Sequence, residues 1–351
     1  MSGTNGGSTR PVLITGGAGF IGSNLAHRLL QSGERVILFD DLSRPQVARN
    51  AEWLRRSHGD RVELREADVR DATSVTEACR GASLVVHLAA QVAVTTSLLR
   101  PIEDFEINAR GTLNVLEALR RQATPPPLIF TSTSKVYGAL GDVALRESGR
   151  RCEPTDARLR ARGIDEARPL DFHSPHGCAK GAADQYVLDY ARTFGLSAAV
   201  LRVGTTYGLR QLGNEEQGWV THFATQARSG APIVVHGDGL QVRDALFADD
   251  LVGAILVARA AMPRIRGNAF NIGGGPEQTT SVLELLDLLE EIGGRRPEIR
   301  FEAARPGDPR WYVADVQRFK DATGWAPHIG VREGVGRLCA FLRDAGMGAT
   351  T

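Results

Sequence analysis

Lysine is nearly absent. Of 351 residues only Lys135, Lys180 and Lys320 carry an ammonium, and the other 39 basic residues are arginine. A GC-rich coding sequence produces such a bias, and against it a retained lysine is a candidate site where a compact ammonium cannot be exchanged for a planar guanidinium. Net charge is also missing: 42 basic and 41 acidic residues give +1, which excludes the basic field of a nucleic-acid binder. The four cysteines, Cys79, Cys152, Cys178 and Cys339, are scattered without a C-x-x-C pair. That speaks against a metal site and for a reducing, cytoplasmic setting. No apolar run is long enough to span a membrane, and no segment reads as a signal peptide. Residues 1–9 read as a flexible leader.

Glycine, by contrast, is plentiful, and three glycines fall in a telling place. Val12–Ile14 is a short apolar strand; Gly16, Gly19 and Gly22 follow it, and the apolar spacing then becomes helical at Phe20, Ile21 and Leu25. Strand, glycine turn and helix present free amides at a helix N-terminus, where a pyrophosphate can approach closely. A second strand, Val36–Phe39, ends in Asp40 and Asp41. An acidic residue about 20 positions after the glycines is placed to hold the ribose hydroxyls of a dinucleotide. Two carboxylates would repel a 2′-phosphate, which selects NAD over NADP; Arg44 lies further along.

Strands and helices alternate from there. Strands are expected at 61–64, 84–90, 128–130 and 198–201, with helices at 45–58, from about Ala72, at 102–121 and at 175–194. The pattern predicts an α/β fold, a Rossmann-type doubly wound parallel sheet with a smaller C-terminal lobe. Residues 10–203 and 233–262 are assigned to the NAD-binding domain, and 204–232 and 263–345 to the substrate lobe, including the strand 270–272. Residues 139–171 carry little periodicity and read as an insertion loop beside the site.

The ordered motifs Thr15-Gly16-Gly17-Ala18-Gly19-Phe20-Ile21-Gly22, Asp68-Val69, His87-Leu88-Ala89-Ala90, Asn108, Thr133 through Gly138 and Gln241-Val242-Arg243-Asp244 resemble the extended short-chain dehydrogenase/reductase family, the nucleotide-sugar epimerases and dehydratases. The resemblance runs from Pro11 to about Leu342. Within the family, Asp171 through Val187 is most similar to enzymes acting at C2 of a CDP-hexose. The resemblance implies that Gly16, Gly19, Phe20, Ile21, Gly22, Asp40, Asp41, Asp68, Val69, Leu88, Ala89, Ala90, Asn108 and Lys180 bind NAD. It implies further that Lys135, Tyr207, Arg243 and Arg305 meet a nucleotide-sugar substrate, and that the helices 102–121 and 175–194 form a four-helix bundle in a homodimer. A helix N-cap is the plain alternative for Asp68, a surface ion pair for Arg243 and Arg305, a solvated loop lysine for Lys135 and packing for Tyr207.

Family chemistry uses a Tyr-x-x-x-Lys pair and a Ser/Thr on the preceding strand end. Here the Ser/Thr position is Thr133, the lysine is Lys180, and the tyrosine position is His176. A phenol near pKa 10 must be strongly depressed to act as a base at neutral pH; an imidazole near 6.5 need not be. A lysine cation about 4 Å away contributes about 4 kcal/mol against protonating the ring at an effective dielectric of 20. The substitution leaves three readings: His176 as acid/base, proton transfer by another group or water, and a lost or altered redox step. Ser134 and Lys135 follow Thr133, so the carboxylates of family dehydratases and decarboxylases are missing there. Epimerisation of a nucleotide sugar through a transient ketone is the reaction expected, and the resemblance implies C2 of a CDP-hexose. A 4-epimerase, another keto-intermediate enzyme and a non-catalytic nucleotide-sugar binder are the alternatives.

Overall fold

A computed structural model of the chain describes residues 10–344 apart from 45, 46, 212, 215, 216 and 306. The leader at 1–9 and the last position of the 263–345 assignment lie outside the described residues. The chain opens with β1 (Val12–Thr15), α1 (Phe20–Gln31), β2 (Val36–Asp40), α2 (Val47–His58), β3 (Val62–Glu66), α3 (Ala72–Cys79) and β4 (Leu84–His87). Three helical pieces follow: α4 (Val94–Leu99), α5 (Pro101–Phe105) and α6 (Gly111–Arg120). A π-helical turn, Glu106–Arg110, joins α5 to α6, so the single helix expected at 102–121 carries a bulge at Asn108. Such bulges concentrate at functional sites.

The chain continues through β5 (Leu128–Thr133), the hairpin of β6 (Leu145–Ser148) and β7 (Arg151–Pro154), α7 (Ala157–Arg162), α8 (Ser174–Thr193) and β8 (Ala198–Val203). The stretch 139–171 is therefore a hairpin and a helix where a loop was expected. Its short strands are mostly exposed or half-buried, so they lack the apolar run that marks a central strand. Then come β9 (Thr205–Tyr207), α9 (Trp219–Ser229), β10 (Ile233–His236), β11 (Val242–Phe247), α10 (Ala248–Ile265), β12 (Ala269–Ile272), β13 (Thr279–Ser281), α11 (Val282–Gly293), β14 (Ile299–Glu302), β15 (Trp311–Tyr312), α12 (Gln317–Thr323) and α13 (Val331–Asp344).

The main sheet has seven strands in the order β12-β8-β5-β4-β1-β2-β3, and every pairing is parallel. Its strands are continuous apolar runs because helices cover both faces. One face packs on α1, α2 and α10, the other on α3, α6 and α8. The order reverses between β1 and β4, and the crevice at their carboxyl ends is where a doubly wound sheet takes a ligand.

Two parts of the domain division differ from expectation. β10 pairs with β14, and β11 pairs with β9, β13 and β15, so both strands belong to the small lobe although 233–262 was assigned to the large one. Conversely β12 is the edge of the main sheet, paired with β8, although 263–345 was assigned to the lobe. The chain crosses between lobes more often than a composition-based boundary can show, because partner strands lie tens of residues apart.

Candidate active site

The glycine turn after β1 is built so that nothing but glycine fits. Gly16 has φ +67, and a Cβ on it would lie 2.8 Å from the Ala89 amide nitrogen. A Cβ on Gly22 would lie 2.4 Å from the Gly16 carbonyl oxygen. Gly19 is the N-cap of α1 and provides no capping side chain, so the amides around Phe20 and Ile21 face outward uncapped. Ala89 N donates to Thr15 Oγ1 (3.2 Å) and Leu88 N to Thr15 O (3.1 Å), which lays Leu88, Ala89 and Ala90 alongside the turn. This cradle fits a dinucleotide pyrophosphate on an N-terminal helix dipole.

The expected ribose carboxylates are present at the end of β2, already engaged. Asp40 accepts from Ala18 N and Leu42 N, each at 3.0 Å, which ties the glycine turn to β2. Asp41 accepts from Ser43. Arg44 donates to Gln217. The helix-cap alternative for Asp68 does not hold: Asp71 caps α3, while Asp68 pairs with Arg70 and Val69 is buried under α6.

A second group of residues lines a cleft of about 700 Å³ between the lobes. It includes Thr133, Lys135, His176, Arg243 and Arg305. Thr133 is the last residue of β5, and its Oγ1 accepts from Lys135 N (3.2 Å), capping the turn that follows. At the head of α8, Ser174 holds φ +70 and its Oγ accepts from Gly177 N, a strained residue at the cleft wall. Pro175 suits the first turn of the helix. His176, in that same turn, is 5 % exposed; its own N–H donates to Ser97 Oγ (3.2 Å).

Lys180 lies one turn further along α8. Its Nζ donates to Thr131 O (2.7 Å) and sits 4.2 Å over the Phe130 ring. Burial pushes the ammonium down to about 7, against the pull of Asp184 and Asp104. Lys180 is not the only ionisable group near the ring. Asp104 Oδ1 lies 3.6 Å from His176 Nδ1 and opposes that cation. Asp104 was not among the expected residues, although its spacing of four from Asn108 places both on one helix face. Asn108 donates to Asp104 Oδ1 (3.0 Å) and to Gln91 O (2.9 Å), so its side chain is occupied in holding this carboxylate.

Lys135 and Arg243 converge. Lys135 Nζ lies 2.8 Å and Arg243 Nη2 3.0 Å from Asp308 Oδ1. Burial alone pushes the Asp308 carboxyl up, and the two cations outweigh it and hold it well below the usual carboxylate range. Tyr207 does not reach the cleft. Its ring is fully buried, edge-on to Phe247, and its hydroxyl donates to Val331 O (3.3 Å). Thr205, two positions earlier on β9, lines the cleft instead. Among the described residues there is no cluster of His, Cys, Asp or Glu able to hold a metal, and no helix is long and apolar enough to cross a membrane.

The chain is 42 % identical over 334 residues to CDP-paratose 2-epimerase of Salmonella typhi, covering 93 % of this chain and 97 % of that protein. It is similar to the crystal structure of UDP-glucose 4-epimerase with UDP-glucose from Thermotoga maritima (TM-score 0.81, 30 % identity, 95 % and 99 % of the two chains). A UDP-glucuronic acid 4-epimerase from Bacillus cereus in complex with UDP-glucuronic acid and NAD superposes with the same TM-score at 26 % identity, again over 95 % and 99 % of the chains. The model of the NAD dependent epimerase/dehydratase family matches residues 12–273, and the chain belongs to that family.

Proposed function

We propose that this chain inverts C2 of a CDP-hexose, with His176 as the acid/base. The observation that carries the reading is that His176 and Thr133 line one cleft together with Lys135, Arg243 and Arg305. The 42 % identity to a CDP-paratose 2-epimerase supports the nucleotide and the carbon. When bound, NAD, the cofactor of the family, supplies the hydride acceptor and donor that makes the ring carbon a ketone and then restores it. Gly16, Gly19 and Gly22 cradle its pyrophosphate, and Asp40 and Asp41 at the end of β2, with Asp68 and Val69, hold the adenosine end. Leu88, Ala89 and Ala90 offer a flat wall, and Lys180 fixes the nicotinamide ribose.

Each remaining residue has a task within reach of its position. Thr133 donates to the sugar hydroxyl, and His176 takes that hydroxyl's proton and returns it. Lys135 and Arg243 already converge on one carboxylate, so they can converge on the substrate diphosphate, with Arg305 beside them. Ser134 and Lys135 behind Thr133 leave no carboxylate for water elimination or decarboxylation. A 4-epimerase reading has the Thermotoga maritima structure in its favour, at lower identity.

We place the protein in the cytoplasm, in keeping with four unpaired cysteines, and as a homodimer. Leu98, Leu99, Ile102 and Phe105 are 59, 84, 77 and 51 % exposed along α4 and α5, and Tyr186 on α8 is 43 % exposed. Apolar side chains so grouped suit burial against a twin copy. Sedimentation of the wild type and of Ile102→Glu checks this: a dimer that the substitution splits is expected. Incubation of the protein with CDP-paratose and NMR of the product tests the reaction. Appearance of the C2 epimer is expected; inversion at C4, or no conversion of any CDP-hexose, overturns the assignment.

A further inference from the structure

We propose that Asp104 is the positioning residue for His176: its buried carboxylate keeps the ring proton on Nδ1, so that Nε2 is the bare nitrogen offered to the cleft. The inference rests on the reading of His176 as the acid/base. Asp104 sits on α5 with a fully buried side chain, and its Oδ1 lies 3.6 Å from His176 Nδ1. That carboxylate does not wander. Gln91 Nε2 and Asn108 Nδ2 both donate to Oδ1, at 2.9 and 3.0 Å. Gln91 is clamped in turn by Ala93, accepting from its N–H and donating to its carbonyl. The histidine is pinned from the other side through its backbone N–H and Ser97.

The hydrogen-bond inventory then fixes the tautomer. His176 Nδ1 is buried with no hydrogen-bond partner, and Asp104 Oδ2 is in the same condition. An ionised carboxylate can only accept. A bare Nδ1 facing Oδ1 sets two acceptors against each other and leaves the ring nitrogen unsatisfied, which is costly in a dry site. An N–H at Nδ1 gives the ring nitrogen an acceptor in Oδ1, the carboxylate oxygen beside it. The present 3.6 Å is longer than a hydrogen bond, and catalytic hydrogen bonds in unliganded sites commonly shorten when the ligand arrives.

With Nδ1 protonated, Nε2 has a lone pair for the sugar hydroxyl. The O–H bond breaks, its electron pair stays on oxygen, and the proton forms an N–H bond at Nε2. The imidazolium so formed lies beside a carboxylate, and the proton returns to the same oxygen when the hydroxyl is remade. This is the base-and-orienter logic of nucleophile triads applied to an alcohol. It also separates His176 from a tyrosine in the same place, since a phenol has no second nitrogen for the carboxylate to hold.

The test reads the ring directly. In NAD-loaded protein with ¹⁵N-labelled histidine and no sugar present, His176, assigned with His176→Gln, is expected to show a protonated Nδ1 and a bare Nε2. A protonated Nε2 overturns the proposal. Asp104→Asn keeps an acceptor for Gln91 and Asn108 while removing the charge. It is expected to lower kcat about 100-fold with little change in KM. In single turnovers the same substitution made on His176→Ala is expected to add almost nothing, because Asp104 acts through the ring; an equal further loss there assigns Asp104 a purely structural part and overturns the proposal. Failure of the epimerase reading appears separately, as wild-type protein that converts no CDP-hexose while its ring tautomer is still measured.

Discussion

At the head of α1 the protein offers backbone; at the head of α8 it offers side chains. The first junction is made of amides and of glycines whose missing Cβ atoms leave room for a ligand, and its immediate neighbours Leu88 to Ala90 are apolar. The second holds His176, Lys180, Ser174 and, from across the cleft wall, Asp104 and Thr133. A backbone site leaves little room at Gly16 and Gly22, and the groups that hold it are backbone and one carboxylate. A side-chain site can exchange one residue for another, provided the groups around it supply matching protons and charges. This explains how a histidine stands at the family's tyrosine position while the glycine turn keeps its form.

The contrast breaks most visibly at His176 itself. His176→Ala is expected to lower kcat by about 10²–10⁴ while leaving NAD content near that of the wild type, as read by steady-state kinetics and by the cofactor released on denaturation. Unchanged turnover removes the assigned base. At the backbone site the expected effect is of the other kind. Gly22→Ala places a Cβ 2.4 Å from the Gly16 carbonyl oxygen, and overpacking of this sort costs about 1–3 kcal/mol. A lowered thermal midpoint together with lost NAD is expected. Normal NAD content in this variant means that the turn can open without harm, and the distinction between the two junctions fails.

Lys180 gives the contrast a pH dependence. Its folded value is about 7 and its ordinary value 10.5. Below about 7 it is charged in both states, and the folded protein bears the full cost of burying the charge. Between 7 and 10.5 the unfolded chain holds a proton that the folded one has released, so this lysine's contribution to stability rises with pH, by at most about 1.4 kcal/mol per unit. Lys180→Met removes the effect. Urea unfolding at pH 7 and pH 9 is therefore expected to show the variant's advantage over wild type shrinking at the higher pH. A pH-independent difference means that the lysine is not desolvated.

How much of this was legible in the sequence follows from the same division. The glycine turn, the end of β2 and the order of parallel strands rest on short-range pattern: apolar runs, helical spacing and glycines at fixed intervals. Those elements appear within a few residues of where Val12, Val36, Leu84 and Leu128 place them. Thr133, Lys135, His176 and Arg243 were legible because local motifs carry them. Asp104 was not, since its partner is 72 positions away; nor was Asp308, whose partners Lys135 and Arg243 are 173 and 65 positions distant. For Tyr207 the sequence left packing beside substrate contact, and the buried ring fits packing. Thr205, two positions earlier on β9, lines the cleft, while the Tyr207 ring is buried against Phe247, and sequence alone does not say how far along the strand the cleft extends. The partners of β10, β11 and β12 were not legible, because strand partnership is decided by the whole fold.

The smallest effect sharpens the contrast most. His176→Tyr restores the residue that the family chemistry uses, so a gain in rate is the naive expectation. The surroundings argue otherwise. The new hydroxyl would lie in a pocket with the buried Asp104 carboxylate, which disfavours phenolate, while burial has lowered the proton affinity of the Lys180 ammonium that should favour it. A phenol starting near pKa 10 then needs a higher pH to serve as a base. The expected outcome is about a tenfold loss of kcat at neutral pH, equivalent to about 1.4 kcal/mol, with NAD binding unchanged and the optimum moved to higher pH. Rates measured from pH 6 to 9.5 decide the matter. A variant faster than wild type at pH 7 means that the pocket still suits a tyrosine and that Asp104 has no special relation to the imidazole. A slower variant with a raised optimum means that the side-chain site was rebuilt around histidine, carboxylate included.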